Sequence, residues 1–302
     1  MTHDCSFAPC CATIGFFDGV HRGHQYLLSQ LRADANDHAM QSLVVTFRQH
    51  PRQVLQQDYV PRLLTTPERK EQLLLATGVD RVAMLDFSLQ LSALSAEEFM
   101  SFLRTKYNVR RLLTGYDNRF GHNREEAFGD YRRYGEALGI VVEAAKAFAD
   151  GGVSVSSSMV RRLLAEGNIH AANACLGYRF GFSGTVEHGF GEGHKLGFPT
   201  ANLRLADSQF VPRSGVYAVM VSVEGVQGDL MGMMNIGSRP TFGTFNDTVE
   251  VNIFGFDRDI YGSRVDVTVV ERIRDDRKFD TIEQLRRQLE RDRVSATILL
   301  KK

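Results

Sequence analysis

The sequence predicts an α/β domain built on a parallel sheet, followed by a small antiparallel β-barrel or sandwich that ends in a helix. Three observations predict this. Short apolar strands alternate with amphipathic helices through the first half; glycines punctuate period-two apolar runs from Gly181 onward; and the final stretch FDTIEQLRRQLERD returns to helical spacing. The chain has 302 residues, 43% of them hydrophobic, which suffices for two domains with a core each. The texture changes between residues 168 and 183 without a flexible linker, and the boundary is set at 175/176, giving domains 1–175 and 176–302.

In chain order, CATIGFF reads as a strand, GHQYLLSQLRADA as a helix and SLVVTF as a strand. TPERKEQLLLATG (helix), RVAMLDF (strand), SAEEFMSFLRTKY (helix) and VRRLLTG (strand) continue the alternation that a parallel sheet with covering helices needs. In the first helix, spacing puts Leu27 and Leu31 inward. Ser95 followed by Glu98 forms a capping box. Helices over Arg132–Leu138 and Met159–Glu166 stop at Gly139 and Gly167, where glycine adopts a left-handed cap. VYAVMVSV, GDLMGMMNIG, TVEVNIFGF and RVDVTVVERI are the strands of the second domain. Asp280 and Glu283 suit the start of the last helix, and Ile282, Leu285 and Leu289 make its apolar stripe.

Charge and cysteine usage narrow the function classes. With 36 basic and 36 acidic residues the net charge is zero, so no overall field favours nucleic acid or an anionic membrane. The longest apolar runs fall short of a membrane span, and no basic region precedes the short N-terminal apolar stretch. Cys5, Cys10, Cys11 and Cys175 form no paired CxxC framework, so a reducing cytoplasm is the simplest setting. The expectation is a cytoplasmic enzyme of small molecules, without nucleic-acid or membrane partners, its oligomeric state open.

The first chemical constellation is TIGFFDGVHRGHQYLL, which sets His21 and His24 between a strand and the first turn of a helix. Free N–H groups and the positive helix end attract phosphate there, and Gly23 allows close approach of a nucleotide to the backbone. Two imidazoles can donate hydrogen bonds to phosphoryl oxygens as charge builds on a leaving pyrophosphate. A zinc site would require further ligands, and neither a nearby Cys nor an HExxH partner accompanies the pair.

The second constellation is HGFGEGHKLGFPTANL, with glycines at 189, 191, 193 and 197 ahead of Thr200 and Asn202. Such a loop can wrap phosphates with its amides, although it lacks the GxxxxGK[ST] pattern, and the Thr hydroxyl and Asn amide oxygen are hard ligands suited to magnesium. In TVEVNIF, alternation buries Val249, Val251 and Ile253 and turns Thr248, Glu250 and Asn252 to the other face. A carboxylate on a rigid strand can take the proton of an attacking hydroxyl, as a small-molecule kinase requires.

The first constellation, with TFRQHPRQVL, RLLTTPERK, GYDNRFGHNR and VSSSMVRRLL following in order, resembles the HxGH nucleotidyltransferases, with their Rossmann-like parallel sheet. Within them it resembles the adenylyltransferase half of bacterial bifunctional riboflavin kinase/FAD synthetases. LGFPTANL, VPRSGVYAV, MMNIGSRPTF, VEVNIF, DIYG and the final helix likewise resemble riboflavin kinase domains, which are antiparallel β-barrels closed by a C-terminal helix. The resemblance runs from about Ala12 to the C-terminus. It implies ATP-dependent phosphorylation of riboflavin to FMN, then adenylylation of FMN to FAD, with Mg2+ as cofactor and ATP as co-substrate. It implies that His21 and His24 meet the ATP phosphates, with Gly15, Phe17, Asp18, Gly23, Asp117, Ser157, Ser158 and Arg161 completing the nucleotide site and His50 close by. Asn118 stands where many members carry an aromatic. In the kinase half, Thr200 and Asn202 would bind magnesium and phosphates with the loop glycines Gly189, Gly191, Gly193 and Gly197. Glu250 would be the base, and Asn235 would border the flavin. HxGH domains and small barrels also occur in RNA-handling proteins, but the balanced charge and the lack of a basic, aromatic face argue against that class.

Overall fold

The computed structural model describes residues 7–56, 58–115, 119–122, 126–148, 155–189, 193, 196–241 and 244–301. Apolar, β-branched runs in the first half form strands β1 (Cys10–Ile14), β2 (Gln41–Phe47), β3 (Arg81–Leu85), β4 (Val109–Thr114) and β5 (Val141–Ala144). They pair in parallel in the order β3-β2-β1-β4-β5. β1 is buried along its whole length, with Cys10, Ala12 and Ile14 in one core and Cys11 in the other. The chain builds outward from β1 to one side through β2 and β3, then crosses back to β4. The C-terminal end of β1 is therefore a topological switch point, where open α/β sheets bind ligands.

Helices α1 (Arg22–Asp37), α2 (Pro51–Leu55), α3 (Pro67–Ala76), α4 (Leu89–Ser92), α5 (Ala96–Tyr107) and α6 (Phe128–Leu138) complete the first unit. The Ser95–Glu98 capping box opens α5, and Gly139 closes α6 at φ 67°. In α1 the fully buried positions are Leu28, Leu31 and Ala35; Leu27, expected inward, is only partly buried. His21 caps this helix, and Leu27 packs against the edge of the same core that buries Leu31 as expected.

The second unit begins with α7 (Ser157–Glu166) and α8 (Ile169–Leu176). Strands β6 (Gly181–Glu187), β7 (Ala201–Arg204), β8 (Gly215–Val223), β9 (Leu230–Thr241), β10 (Thr244–Ile253) and β11 (Arg264–Arg274) close a barrel in the order β10-β7-β6-β11-β8-β9, which resolves the barrel-or-sandwich alternative. The compact units divide at 156/157, whereas the boundary at 175/176 falls inside α8. α8 is held to the barrel because Asn173 accepts from Phe180 N–H at 2.7 Å and donates to Val269 O at 3.3 Å, over fully buried Ile169, Ala172 and Leu176.

Helix α9 (Ile282–Leu300) is capped by Thr281, which accepts from Gln284 N–H at 3.2 Å. It covers the outer face of β8 and β9, where Ala296 packs with Ala218, Met233 and Phe198. Ile282, expected in the apolar stripe, is 67% exposed. The inward positions are taken by Leu289, Ala296 and Leu299 together with Asp292, which accepts three bonds of 2.8–3.1 Å from Arg274 and one of 2.7 Å from Gln288.

Candidate active sites

At the end of β1 the chain makes a turn with three departures from ordinary backbone within four residues: Phe17, Gly19 and Val20 have φ of 55°, 76° and 35°. Non-glycine residues persist there only when their surroundings over-determine them. Asp18 does much of this. Its buried carboxylate accepts from the N–H of Leu64 at 2.9 Å and of Thr65 at 3.2 Å, and from the Thr65 hydroxyl, which in turn accepts from Gly19 N–H. Gln25 donates to Val20 O at 2.8 Å. The Phe17 ring folds over Gly15, where a Cβ would sit 2.8 Å from it.

This turn presents His21 and His24 as a stacked pair, ring centroids 3.7 Å apart, with Phe17 edge-on to His24 at 5.1 Å. His21 Nδ1 accepts from His24 N–H, so its neutral ring carries the proton on Nε2, ready to donate. Burial holds His21 down at about 4 and His24 well below the usual imidazole range. His24 Nδ1 is shielded and has no hydrogen-bond partner. Gly23 leaves room for the stack, since a Cβ there would approach the His21 ring to 3.2 Å. Two neutral imidazoles at the start of α1 can attract an anion, because a nearby phosphate would favour their charged forms.

Beside this turn lies a cavity of about 460 Å³, walled by Phe16, Phe47, Leu55, Phe87, Phe99 and Phe120, with Arg119 and His122 at its polar edge. Its size and aromatic lining suit a flat heteroaromatic ring. His50 caps α2, accepting from Arg52 N–H at 3.2 Å, and packs edge-on against Phe16 at 4.7 Å.

In the second unit, register assembles the other site. Asn202 on β7 faces Glu250 on β10, and Glu250 faces Asn235 on β9. Directly opposed positions project to the same face, so the three half-buried polar side chains form one row across three strands. Asn252, two residues on and on the same face as Glu250, is buried and donates to Pro199 O. Gly189 lies under Asn202, where a Cβ would be 2.0 Å from its amide nitrogen; at Gly193 a Cβ would come within 3.2 Å of Thr200 Oγ1. Gly197 turns at φ 78°. Cavities of about 470 and 350 Å³ flank the Pro199 corner, the larger reaching Thr200, Asp257 and Tyr261, the smaller Phe198, Asn252 and Arg293.

Asp117, Asn118 and Gly191 lie outside the described residues. Ser157, Ser158 and Arg161 stand in the first two turns of α7, in the second unit. Reading the sequence missed Lys70, Thr65 and the cavity phenylalanines, whose signal is only three-dimensional. Among the described residues no group of three or more His, Cys, Asp or Glu is placed to hold a metal, and no helix is long and apolar enough to cross a membrane.

A parallel-sheet unit with an imidazole pair at its switch point, beside a closed barrel with a carboxylate set between two amides, is the architecture expected of a two-domain transferase acting on nucleotide phosphates. Residues 5–159 match the family described as FAD synthetase and residues 176–300 that described as riboflavin kinase. The chain belongs to the bifunctional riboflavin kinase/FMN adenylyltransferase family. The Escherichia coli K12 member is 37% identical over 298 residues, covering 97% of this chain and 95% of its own; the Bacillus subtilis member is 33% identical, covering 96% and 92%. A crystal structure described as a macrolide-efflux protein from Streptococcus pneumoniae shares the fold at TM-score 0.86 and 32% identity, covering 96% and 94% of the two chains.

Proposed function

We propose that the family's two activities are divided between the units: the barrel phosphorylates riboflavin with ATP, and the parallel-sheet unit transfers AMP from ATP to FMN, releasing pyrophosphate. The observation that carries this is the pairing of one chemically distinct site with each unit: a carboxylate between two amides in the barrel, an imidazole pair beside an aromatic cavity in the sheet unit.

In the barrel, Glu250 accepts the proton of the ribityl 5′-hydroxyl as it attacks the γ-phosphorus. The glycine loop's amides hold the phosphates, and Asn235 borders the flavin. Thr200 and Asn202 fit magnesium: a hydroxyl and an amide oxygen are hard, neutral ligands, and Gly189 and Gly193 let the loop backbone pass close against both side chains. When bound, the ion neutralises charge building on the phosphate oxygens.

In the sheet unit, the FMN phosphate attacks the α-phosphorus and the bond to pyrophosphate breaks. His21 Nε2–H and His24 stabilise the departing charge, and the aromatic cavity holds the flavin ring. Asp18 serves by holding the turn through Leu64 and Thr65. Asp117, Ser157, Ser158 and Arg161 also serve nucleotide binding, as the resemblance implies. Both transfers are direct, and we place them in the cytoplasm.

Purified protein given riboflavin, ATP and magnesium, with flavins separated by chromatography over time, tests the reading. Transient FMN followed by FAD is expected. His24→Ala should lower FAD formation by about 10²- to 10³-fold and spare FMN formation; Glu250→Ala should do the reverse. A folded variant that loses both activities would overturn the division.

A further inference from the structure

Lys70 sits on the inward side of α3 and is 2% exposed, one of the largest fully buried side chains of the molecule. Its Nζ donates to Phe47 O, at the end of β2, at 2.6 Å and lies 4.0 Å from the centroid of the Phe16 ring. No ion pair within 4.0 Å joins it to a carboxylate among the described residues, and the charge of Asp18, which favours the ammonium from farther off, is outweighed by burial. An ammonium buried on one carbonyl and one ring face is expensive to keep, and a purely structural position would favour an apolar residue.

What it touches gives it a use. Phe16 and Phe47 both wall the aromatic cavity. Phe16 is also fixed by its carbonyl, which accepts from the Thr46 hydroxyl at 3.1 Å, and by the His50 ring. The next residue is Phe17, the first at positive φ, whose ring meets His24. Phe16 is thus the joint between the cavity and the histidine pair, and the lysine lies against it.

We propose that Lys70 is a positioning residue for adenylyl transfer: its ammonium pins Phe16 to the end of β2 and so sets where a flavin phosphate meets His21 and His24. Its charge also acts on the site: burial first, then repulsion from a protonated His21 and from Lys70, disfavours the charged form of His24, and with His21 neutral the ammonium is the charge that remains. This rests on adenylyl transfer belonging to the sheet unit.

The test compares Lys70→Met and Lys70→Ala with wild type and His24→Ala in the full-length protein. Lys70→Met should leave the unit folded by near-ultraviolet circular dichroism and leave riboflavin phosphorylation unchanged. Its FMN adenylylation should drop about 10- to 100-fold, chiefly in kcat and the KM for FMN rather than the KM for ATP. In Lys70→Ala, n-propylammonium, which matches the removed atoms, should restore adenylylation, while n-propanol of the same length should not. Folded Lys70→Met within twofold of wild type, or equal rescue by the alcohol, overturns the proposal. If His24→Ala loses adenylylation in that experiment, only the role of Lys70 fails; if both variants retain it, the assignment of the site fails.

Discussion

His21 shows how burial alone sets a group's chemistry. Its folded pKa of about 4 lies below the ordinary 6.5, and His24 is lowered in the same direction by the same cause. Between those values the unfolded chain binds more protons, so the sheet unit is fully stable above about pH 6.5 and loses stability as pH falls toward 4. The slope is about 1.4 kcal/mol per pH unit for each imidazole. Urea midpoints of the first unit at pH 7.5, 6 and 5 should fall accordingly, and His21→Asn should flatten the dependence; an unchanged slope would contradict the burial account. Lys70, lowered by burial from 10.5 to about 8, has the same sign at higher pH: stability rises from about 8 to 10.5 as the folded unit sheds its proton first. The histidine pair was legible because HxGH between strand and helix is a local pattern. Lys70 was not, because a lysine within TPERKEQLLLATG reads as a solvated cation, and only packing reveals that it shares the buried face of Leu74.

At the level of elements, register and helix docking did what periodicity could not. Alternation in TVEVNIF separates Val249 and Val251 from Glu250, but nothing along the chain says that Asn202 and Asn235 lie opposite that carboxylate. Likewise, helical spacing finds α9 without finding its anchor. The sequence favoured Ile282, whereas the inward position of consequence is Asp292, 1% exposed against Arg274 at 17%. α9 also covers Phe198, two residues before Thr200, so its docking fixes the end of the glycine loop. Asp292→Ala would leave Arg274 buried without its carboxylate, at a cost of about 3–5 kcal/mol. Riboflavin phosphorylation should fall with the barrel's melting temperature while adenylylation of supplied FMN continues. Equal loss of both activities would mean that α9 does not act through the glycine loop.

For the whole molecule, the instructive point is where one unit gives way to the next. Composition shifts near Gly181 because the barrel strands begin there, yet the barrel's packing begins at α7. Ile169, Ala172 and Leu176 are fully buried, Arg213 N–H donates to Leu164 O at 3.0 Å, and Asn173 bonds both Phe180 and Val269. The shift of texture between 168 and 183 puts the boundary at 175/176, where the riboflavin kinase match also begins, because composition reports the kind of element and not its neighbour. A fragment of residues 157–302 should therefore fold and phosphorylate riboflavin. One beginning at 177 removes the buried apolar side chains of Val160, Leu164, Ile169, Ala172 and Leu176, the four larger ones worth about 1.5–3 kcal/mol each, and leaves the Val269 carbonyl and the Phe180 amide without their Asn173 bonds. Its urea midpoint should be distinctly lower and its riboflavin turnover should fail at a lower temperature. Matching midpoints for the two fragments would mean that α7 and α8 add nothing to the barrel, and that 175/176 is the working boundary after all.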